Sequence, residues 1–425
     1  MRYRASILNN FCFKIIKIII GLIISVIIVR QFGAAGNGYI SFFILVIDTL
    51  STNNHLGIND AIIYFYKKKN YDKEELFQTG LSFIIIVSII ISAAIIVSRL
   101  LHVFFLDYNL YIILVGIAYL IIKSISIFIN SFYIADEKII ELNKYTFISD
   151  SIKLSGITIV YLLDYLSFEV YFTIIVINQI TLVYMQMINL KIIYKFKYSN
   201  KLLLDELKYG IFIFIGSLCI FLNYKVDQFF INIYHGNFEL GLYSLAVMFA
   251  ELLFIIPQSV KTVLNGRLLN IRYIKGDNTT YLSIKITFYI SCIIIIISIC
   301  LFPIIIPIIY GNDFILSIKP AIILLISVLF ASIATVLSSY VVSLGENKIQ
   351  MLFSFNTVVV NIVLNMLLIP PYGIIGAAIA SLISYSVYSG QYIWFFLKKE
   401  KCSLDKIFIL KREDLEKIGI LSPKR

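Results

Sequence analysis

The sequence predicts an all-α integral membrane protein with twelve transmembrane helices, arranged in two parallel six-helix lobes around a central cavity. Composition is the first observation: 60% of the 425 residues are hydrophobic and 14% are charged, which excludes a water-soluble globule. The second is an internal repeat. Two glycines and one acid recur with the same spacing 203 residues apart, as Gly33, Gly38 and Asp48 and then as Gly236, Gly241 and Glu251. Two related halves around a shared cavity are typical of a carrier.

Twelve segments of about 20 mostly apolar residues, the length that crosses the hydrocarbon of a bilayer, follow one another along the chain. They lie at 12–30, 39–64, 79–101, 110–134, 145–165, 169–190, 209–234, 240–263, 281–309, 317–343, 349–369 and 374–397. Cytoplasmic loops retain Lys and Arg, and only Arg30, Arg99 and Lys319, at the ends of their spans, fall on the side opposite the N-terminus. We therefore expect both termini in the cytoplasm. The net charge of +11 then reflects topology and attraction to anionic headgroups, not nucleic-acid binding.

The lysine-rich stretch 191–208 separates six predicted helices from six. We expect an N-terminal lobe at 1–197, a C-terminal lobe at 198–400 and an amphipathic cytoplasmic tail at 401–425. The outer loops are short, which argues against an extramembrane catalytic domain. The five cysteines have no metal-binding spacing and indicate no disulfide framework. We expect no catalytic residue, no metal and no cofactor.

Nine charged residues within the predicted spans, most of them away from the span ends, are the candidate site. Each would cost roughly 2.5–3.5 kcal/mol at mid-helix if exposed to lipid, so they are expected to face a wet cavity or one another. They are Asp48, Asp60, Lys123, Asp150, Lys153, Lys225, Asp227, Glu251 and Lys261. Helical spacing puts further polar residues on the same faces. Each such set forms a polar stripe along one helix face. The stripes are Asp48, Thr52, His55 and Asn59 on the second predicted helix, Glu251, Gln258, Thr262 and Asn265 on the eighth, and Ser354, Thr357, Asn361 and Asn365 on the eleventh.

Four lysines of this set, Lys123, Lys153, Lys225 and Lys261, suit an anionic substrate such as a diphosphate, because an ammonium group attracts phosphate strongly at low dielectric. Lys225 is the stronger candidate, since Asp227 is two residues away and faces the opposite side of the helix. Lys153 has an alternative role, because at i, i+3 from Asp150 it can simply neutralise that acid. Lys261 can line the cavity or extend to the headgroups.

The acids Asp48, Asp150, Asp227 and Glu251 are candidates either for ion coupling or for balancing the lysines. His55 can carry protons or be a simple hydrogen-bonded histidine, and we prefer the second reading. The remaining polar candidates for the cavity wall are Gln258, Asn361 and Asn365.

Ordered glycine-containing stretches resemble a known family. They are 32–39 (Phe-Gly-Ala-Ala-Gly-Asn-Gly-Tyr), 227–243, 310–314, 345–348, 361–365 and 369–380. Together they span nearly the whole chain and resemble Wzx-type polysaccharide (O-antigen) flippases of the multidrug/oligosaccharidyl-lipid/polysaccharide (MOP) exporter superfamily. We interpret Gly33, Gly38, Gly236 and Gly241 as glycines of tight outer turns, and Gly373 and Gly376 as sites of close backbone approach.

The resemblance implies a monomeric carrier of the bacterial inner membrane that moves undecaprenyl-diphosphate-linked oligosaccharide from the cytoplasmic to the periplasmic leaflet. Its partners would be this lipid-linked substrate, membrane lipids and the polysaccharide polymerase machinery. It also implies a cationic cavity, which the four lysines would supply. No Arg lies deep in a predicted span, so bidentate clamping of phosphate is not expected.

The alternative is a cation-coupled multidrug exporter of the same superfamily, although the first 47 residues contain no Asp or Glu of the kind such exporters carry. A lipid II flippase would have two more helices. An integral-membrane glycosyltransferase or polymerase would need a large outer loop with acid/base residues. A major-facilitator carrier would have a basic Gly/Asp-Arg loop where this chain has 67–75.

Overall fold

The computed structural model describes residues 2–68, 71–190, 192, 194–196, 198–270 and 278–410. The regular elements in this part of the chain are helices, with one 3-10 turn, Asn312–Ser317, before α10. They are α1 (Arg2–Asn53), α2 (Ile58–Lys68), α3 (Lys73–Leu100), α4 (Leu110–Ala135), α5 (Ile139–Leu162), α6 (Phe168–Leu190), α7 (Asn200–Leu253), α8 (Ile255–Asn270), α9 (Asn278–Tyr310), α10 (Ile318–Ser343), α11 (Asn347–Glu400) and α12 (Leu404–Phe408).

The three longest helices each contain a sharp kink at a glycine with positive φ. These residues are Gly33 in α1 (66°), Gly236 in α7 (76°) and Gly373 in α11 (54°). The kink in α7 reverses the direction of the chain. Lys225 and Glu251 are 26 residues apart, yet their side chains meet at 2.8 Å, whereas a straight helix would separate them by about 39 Å.

Within the described residues, eight helical stretches are long and apolar enough to cross a membrane. Three of them, Phe13–Tyr66, Asn200–Lys261 and Lys348–Glu400, hold 54, 62 and 53 residues. Each contains one of the kinks and is more than twice the length of about 20 residues needed for one crossing, so each accounts for two predicted spans. α5 is a further helix of 24 residues. The predicted all-α membrane architecture is confirmed, and these helices are consistent with the twelve predicted spans.

The chain divides into two compact units. The first comprises Met1–Gly33 and Tyr39–Leu218, and the second comprises Ala34–Gly38 and Cys219–Arg425. The sequence-based lobe boundary between residues 197 and 198 stays a prediction.

In the first unit, α4 packs against α2, α3 and α6, and α5 packs against α6. A fully buried apolar cluster, which includes Ile62, Phe77, Phe128 and Leu202, joins α2, α3, α4 and the first turns of α7. These contacts fix the positions of the polar residues described below.

In the second unit, α10 packs against α8, α9 and α11. The short helix α12 contacts α9, where Ile407 is fully buried and the Lys406 ammonium lies over the Tyr281 ring at 5.3 Å. This helix is part of the tail predicted to be amphipathic, and 411–425 lie outside the described residues.

The repeated glycines have two different roles. Gly33 and Gly236 have the positive φ of a turn, and a Cβ at either position would meet no atom within 4 Å. A Cβ on Gly38 would instead collide with the backbone carbonyl of Asn237, and one on Gly241 with that of Ala34. Gly38 and Gly241 therefore allow close backbone packing within the second unit, so the prediction that they are turn glycines is wrong.

Candidate functional site

A cavity of about 510 Å³ lies inside the second unit. This volume falls within the range of pockets that hold small-molecule ligands. Its wall comes from α7, α8, α10 and α11, with several ionisable and tyrosine side chains among apolar ones. The polar lining comprises Tyr224, Asp227, Glu251, Gln258, Lys261, Thr335, Ser338, Gln350, Tyr385 and Tyr388.

Lys225 and Glu251 form an ion pair at this cavity. The Nζ of Lys225 lies 2.8 Å from Oε1 of Glu251, with side-chain exposures of 27% and 48%. The pair depends on the kink at Gly236, which brings the two halves of α7 side by side. The structure thus gives Lys225 a carboxylate partner on the other half of α7.

Lys261 lies on the cavity wall on α8 and forms no ion pair with a described residue. Each of the other three candidate lysines, by contrast, has a carboxylate within 3 Å. Gln258 lies one turn away on the same wall. The side chains of Thr262 and Asn265, which complete the predicted stripe, lie outside the described residues. Lys261 is therefore the candidate lysine best placed to receive an anion.

Asp227 is buried at the base of a hydrogen-bonded group that includes both halves of α7 and α11. Its carboxylate accepts from Tyr243 Oη at 2.5 Å, from Ser381 Oγ at 3.3 Å and from the backbone N–H of Gln228 at 2.8 Å. These three donors satisfy the buried carboxylate and join the two halves of α7 to α11.

Asn361 and Asn365 are fully buried on α11 and do not line this cavity. Asn365 Nδ2 donates to Asn361 Oδ1 at 2.9 Å, and Asn361 Nδ2 donates to Ser384 Oγ at 3.0 Å. Ser384 lies beyond the kink at Gly373, so these bonds tie the two halves of α11 together.

In the first unit, the Nζ of Lys123 on α4 lies 2.5 Å from Oδ1 of Asp48 on α1, with Tyr119 Oη at 3.3 Å. Both charged side chains are partly buried, with exposures of 19% and 33%. A pair of this kind removes the cost of isolated charges in a membrane.

Asp150 and Lys153 also meet, at 2.9 Å, on neighbouring turns of α5. Asp150 is buried and Lys153 is one-quarter exposed. This is the local pairing that the i, i+3 spacing allows.

His55 takes part in a local backbone structure. Its Nδ1 accepts from the backbone N–H of Gly57 at 3.2 Å, in the break between α1 and α2, and its ring packs edge-on against Phe214. These contacts are those of a hydrogen-bonded structural histidine.

The tyrosines of the cavity were not among the residues predicted from the sequence. Tyr224 packs edge-on against Phe254 and Tyr385, and Tyr388 does so against Tyr392. A tyrosine counts as apolar in a hydropathy window, yet its hydroxyl is a hydrogen-bond donor and acceptor. The helical spacing of Tyr385, Tyr388 and Tyr392, which puts the three rings on one face of α11, is the sequence feature that could have indicated them. No group of three or more His, Cys, Asp or Glu able to hold a metal occurs in the part of the chain that the structure describes.

The long apolar helices define a multi-pass membrane protein. Residues 4–264, more than half of the chain, match the family model for polysaccharide biosynthesis proteins. The chain belongs to this family.

Solved structures agree on the fold. The chain is similar to the lipid II flippase MurJ in an inward closed conformation, with a TM-score of 0.77 at 19% identity over 97% of this chain and 90% of that one. It is also similar to an inward-facing multidrug resistance MATE transporter of the MOP superfamily, with a TM-score of 0.68 at 15% identity over 91% and 95%. A MOP superfamily transporter from Pyrococcus furiosus gives 0.62 at 13% identity over 93% and 95%. No curated protein sequence matches the chain.

Proposed function

We propose that this protein is a flippase that moves undecaprenyl-diphosphate-linked oligosaccharide, the repeat unit of an O-antigen or capsule, across the bacterial cytoplasmic membrane by alternating access. Membership of the polysaccharide biosynthesis family and the MOP transporter fold support a lipid-linked substrate. The observation that carries the proposal is Lys261, a lysine without a carboxylate partner among the described residues, on the wall of a 510 Å³ cavity.

In this proposal Lys261 contacts the anionic headgroup. An ionic hydrogen bond to phosphate is worth about 1.5–3 kcal/mol. Tyr224, Tyr385 and Tyr388 offer flat faces and hydroxyl groups to the sugar, since amphipathic rings suit a ligand with both polar and apolar surface. The polyprenyl chain remains in lipid, which is the solvent of the many apolar side chains exposed on the helices.

The acids have two assigned roles in this scheme. Asp48, Asp150 and Glu251 balance lysines, because each lies within 3 Å of one. Asp227 is the candidate for ion coupling, since it is buried, lines the cavity and accepts only neutral donors. The protein would act as a monomer with both termini in the cytoplasm, and would deliver its substrate to the polysaccharide polymerase machinery.

The test is leaflet-specific quenching of fluorescent undecaprenyl-diphosphate oligosaccharide in proteoliposomes, with and without a proton or sodium gradient. We expect protein-dependent exchange between leaflets and a loss of about 10-fold or more in Lys261→Ala, the effect of about 1.5 kcal/mol or more of lost contact. Lys319→Ala is the matched control, because Lys319 is an exposed lysine on α10 that does not line the cavity. Equal loss in both variants would remove Lys261 from the site.

A cation-coupled multidrug exporter is the second candidate. It is favoured by the half-exposed Glu251 on the cavity wall, because a carboxylate there suits a cationic drug. Efflux of cationic dyes by the same proteoliposomes, together with no movement of several lipid-linked glycans, would establish this function and refute the flippase.

A further inference from the structure

Glu206 is a buried acid that the proposed transport site does not use. It lies in the second turn of α7, in the first unit, and its exposure is 0%. Neither carboxyl oxygen has a hydrogen-bond partner in the part of the chain that the structure describes. An ionised carboxylate without partners is among the most expensive groups to bury, whereas a protonated carboxyl is far cheaper.

The burial of Glu206 follows from the packing of α7. The neighbouring Leu202 and Leu203 belong to the apolar cluster formed with α2 and α3. One turn after Glu206, Gly210 lies so close to Gly57 that a Cβ on either residue would collide with the other's backbone. This face of α7 is therefore docked against its neighbours over at least two turns.

Several described acids, Glu206 among them, interact with Tyr71. Tyr71, in the connection between α2 and α3, donates to Asp205 Oδ2 at 2.7 Å. This hydrogen bond raises the pKa of Tyr71, followed by burial, by the negative charges of Asp205 and Glu75 and, at the high pH where a tyrosine titrates, by that of Glu206. Glu206 is thus close enough to Tyr71 to act on it.

Among the described residues, the other charged groups on the elements packed here form no ion pair with Glu206. Asp60 on α2 is a further acid, and Lys201 and Lys208 are exposed on α7. Lys195, in the segment before α7, is exposed, and Lys73 on α3 pairs with Asp136. In the described part of the chain no lysine or arginine forms an ion pair with Glu206. The surroundings therefore favour its neutral form.

We propose that Glu206 is a proton-binding site whose proton is retained while the first turns of α7 are docked on α2 and α3. Separation of α7 from these helices admits water, and the carboxyl then releases its proton. It differs from Asp48 and Glu251, whose carboxylates lie within 3 Å of lysine ammonium groups. Docking of α7 binds one proton, so high pH weakens it.

The protonation of Glu206 is tested by reaction with dicyclohexylcarbodiimide, an apolar reagent that adds to carboxyl groups in their protonated form. The full-length protein in lipid vesicles is treated at about pH 7, and modified peptides are identified by mass spectrometry. We expect modification of Glu206 and none of Glu74, an exposed acid on the first turn of α3. Failure to modify Glu206 from about pH 6 to pH 8, or equal modification of both acids, would overturn the proposal.

The coupling between protonation of Glu206 and docking of α7 is tested by backbone amide hydrogen exchange of residues 200–210 in the same vesicles. The rates are corrected for the intrinsic pH dependence of exchange. In the wild type, protection of these amides should fall by up to about tenfold for each pH unit, because one proton is released on opening. Glu206→Gln should abolish this dependence, and the matched Glu74→Gln should keep it. Protection that does not change with pH in the wild type, or that changes equally in Glu206→Gln, would refute the link. If Glu206→Gln does not fold, the carbodiimide reaction and the wild-type pH series still decide the matter.

Discussion

Substituting Lys225 by Met leaves Glu251 as an uncompensated negative charge on the wall of the 510 Å³ cavity. A phosphate about 7 Å from that carboxylate would be repelled by about 2.4 kcal/mol at an effective dielectric constant of about 20. This corresponds to a loss of about 50-fold in affinity. The ion pair itself contributes only about 1 kcal/mol to folding, because Glu251 is 48% exposed and water screens the 2.8 Å contact.

The double substitution decides what Lys225 does. If Lys225 only neutralises Glu251, then Lys225→Met with Glu251→Gln restores translocation to within about threefold of wild type, because no net charge remains on this wall. Glu251→Gln alone retains activity. The measurement is the initial rate of leaflet exchange of the lipid-linked oligosaccharide, normalised to protein in the vesicles, with Lys319→Met as the control. A double variant as slow as Lys225→Met would refute the argument and make Lys225 a direct substrate ligand.

Two other predictions concern stability and packing. Burial raises the pKa of Asp136, but hydrogen bonds from Lys73 and Tyr66 outweigh burial and lower the pKa below its ordinary value. The ionised Asp136 therefore stabilises the folded protein. This stabilisation is complete above the ordinary carboxyl range and is lost as the pH falls through the lowered pKa. In thermal unfolding, Asp136→Asn should therefore be less stable than wild type by about 1 kcal/mol at neutral pH, and the difference should vanish in acid; a difference independent of pH would contradict this. Gly241→Val should prevent normal folding, because even the Cβ of the new side chain would collide with the carbonyl of Ala34. Gly216 lies on the same helix, α7, but a Cβ there would meet no atom within 4 Å. Gly216→Ala should therefore stabilise the protein by up to about 1 kcal/mol. Folded yield by size-exclusion chromatography checks both, and equal yields would contradict the packing argument.

The architecture was predictable because it depends on local properties. Hydropathy over about 20 residues marks a membrane span regardless of its neighbours, and three of the long helices bend at glycines that the sequence analysis singled out, Gly33, Gly236 and Gly373. What the glycine pattern did not reveal is the role of each residue. Gly33 and Gly38 are equally small, but only the three-dimensional approach of Ala34–Gly38 to 237–241 distinguishes a turn from a close contact.

The candidate site was less predictable because its contacts join different helices. The pair Asp150 and Lys153 follows from spacing alone. The repeat matches Asp48 with Glu251, but the lysine that neutralises Asp48 comes from α4 and the one that neutralises Glu251 comes from α7. Which helix supplies the cation depends on packing, and no periodicity in the sequence encodes it.

The origin of these two lysines has a consequence for how the protein enters the membrane during synthesis. Lys225 and Glu251 belong to consecutive spans joined at Gly236, so the hairpin can insert with its charges already neutralised. Asp48 instead precedes Lys123 by 75 residues, with the whole of α3 between them. The nascent first unit must therefore hold an unpaired acid in the insertion machinery until α4 emerges, whereas the nascent second unit can release its hairpin into lipid at once.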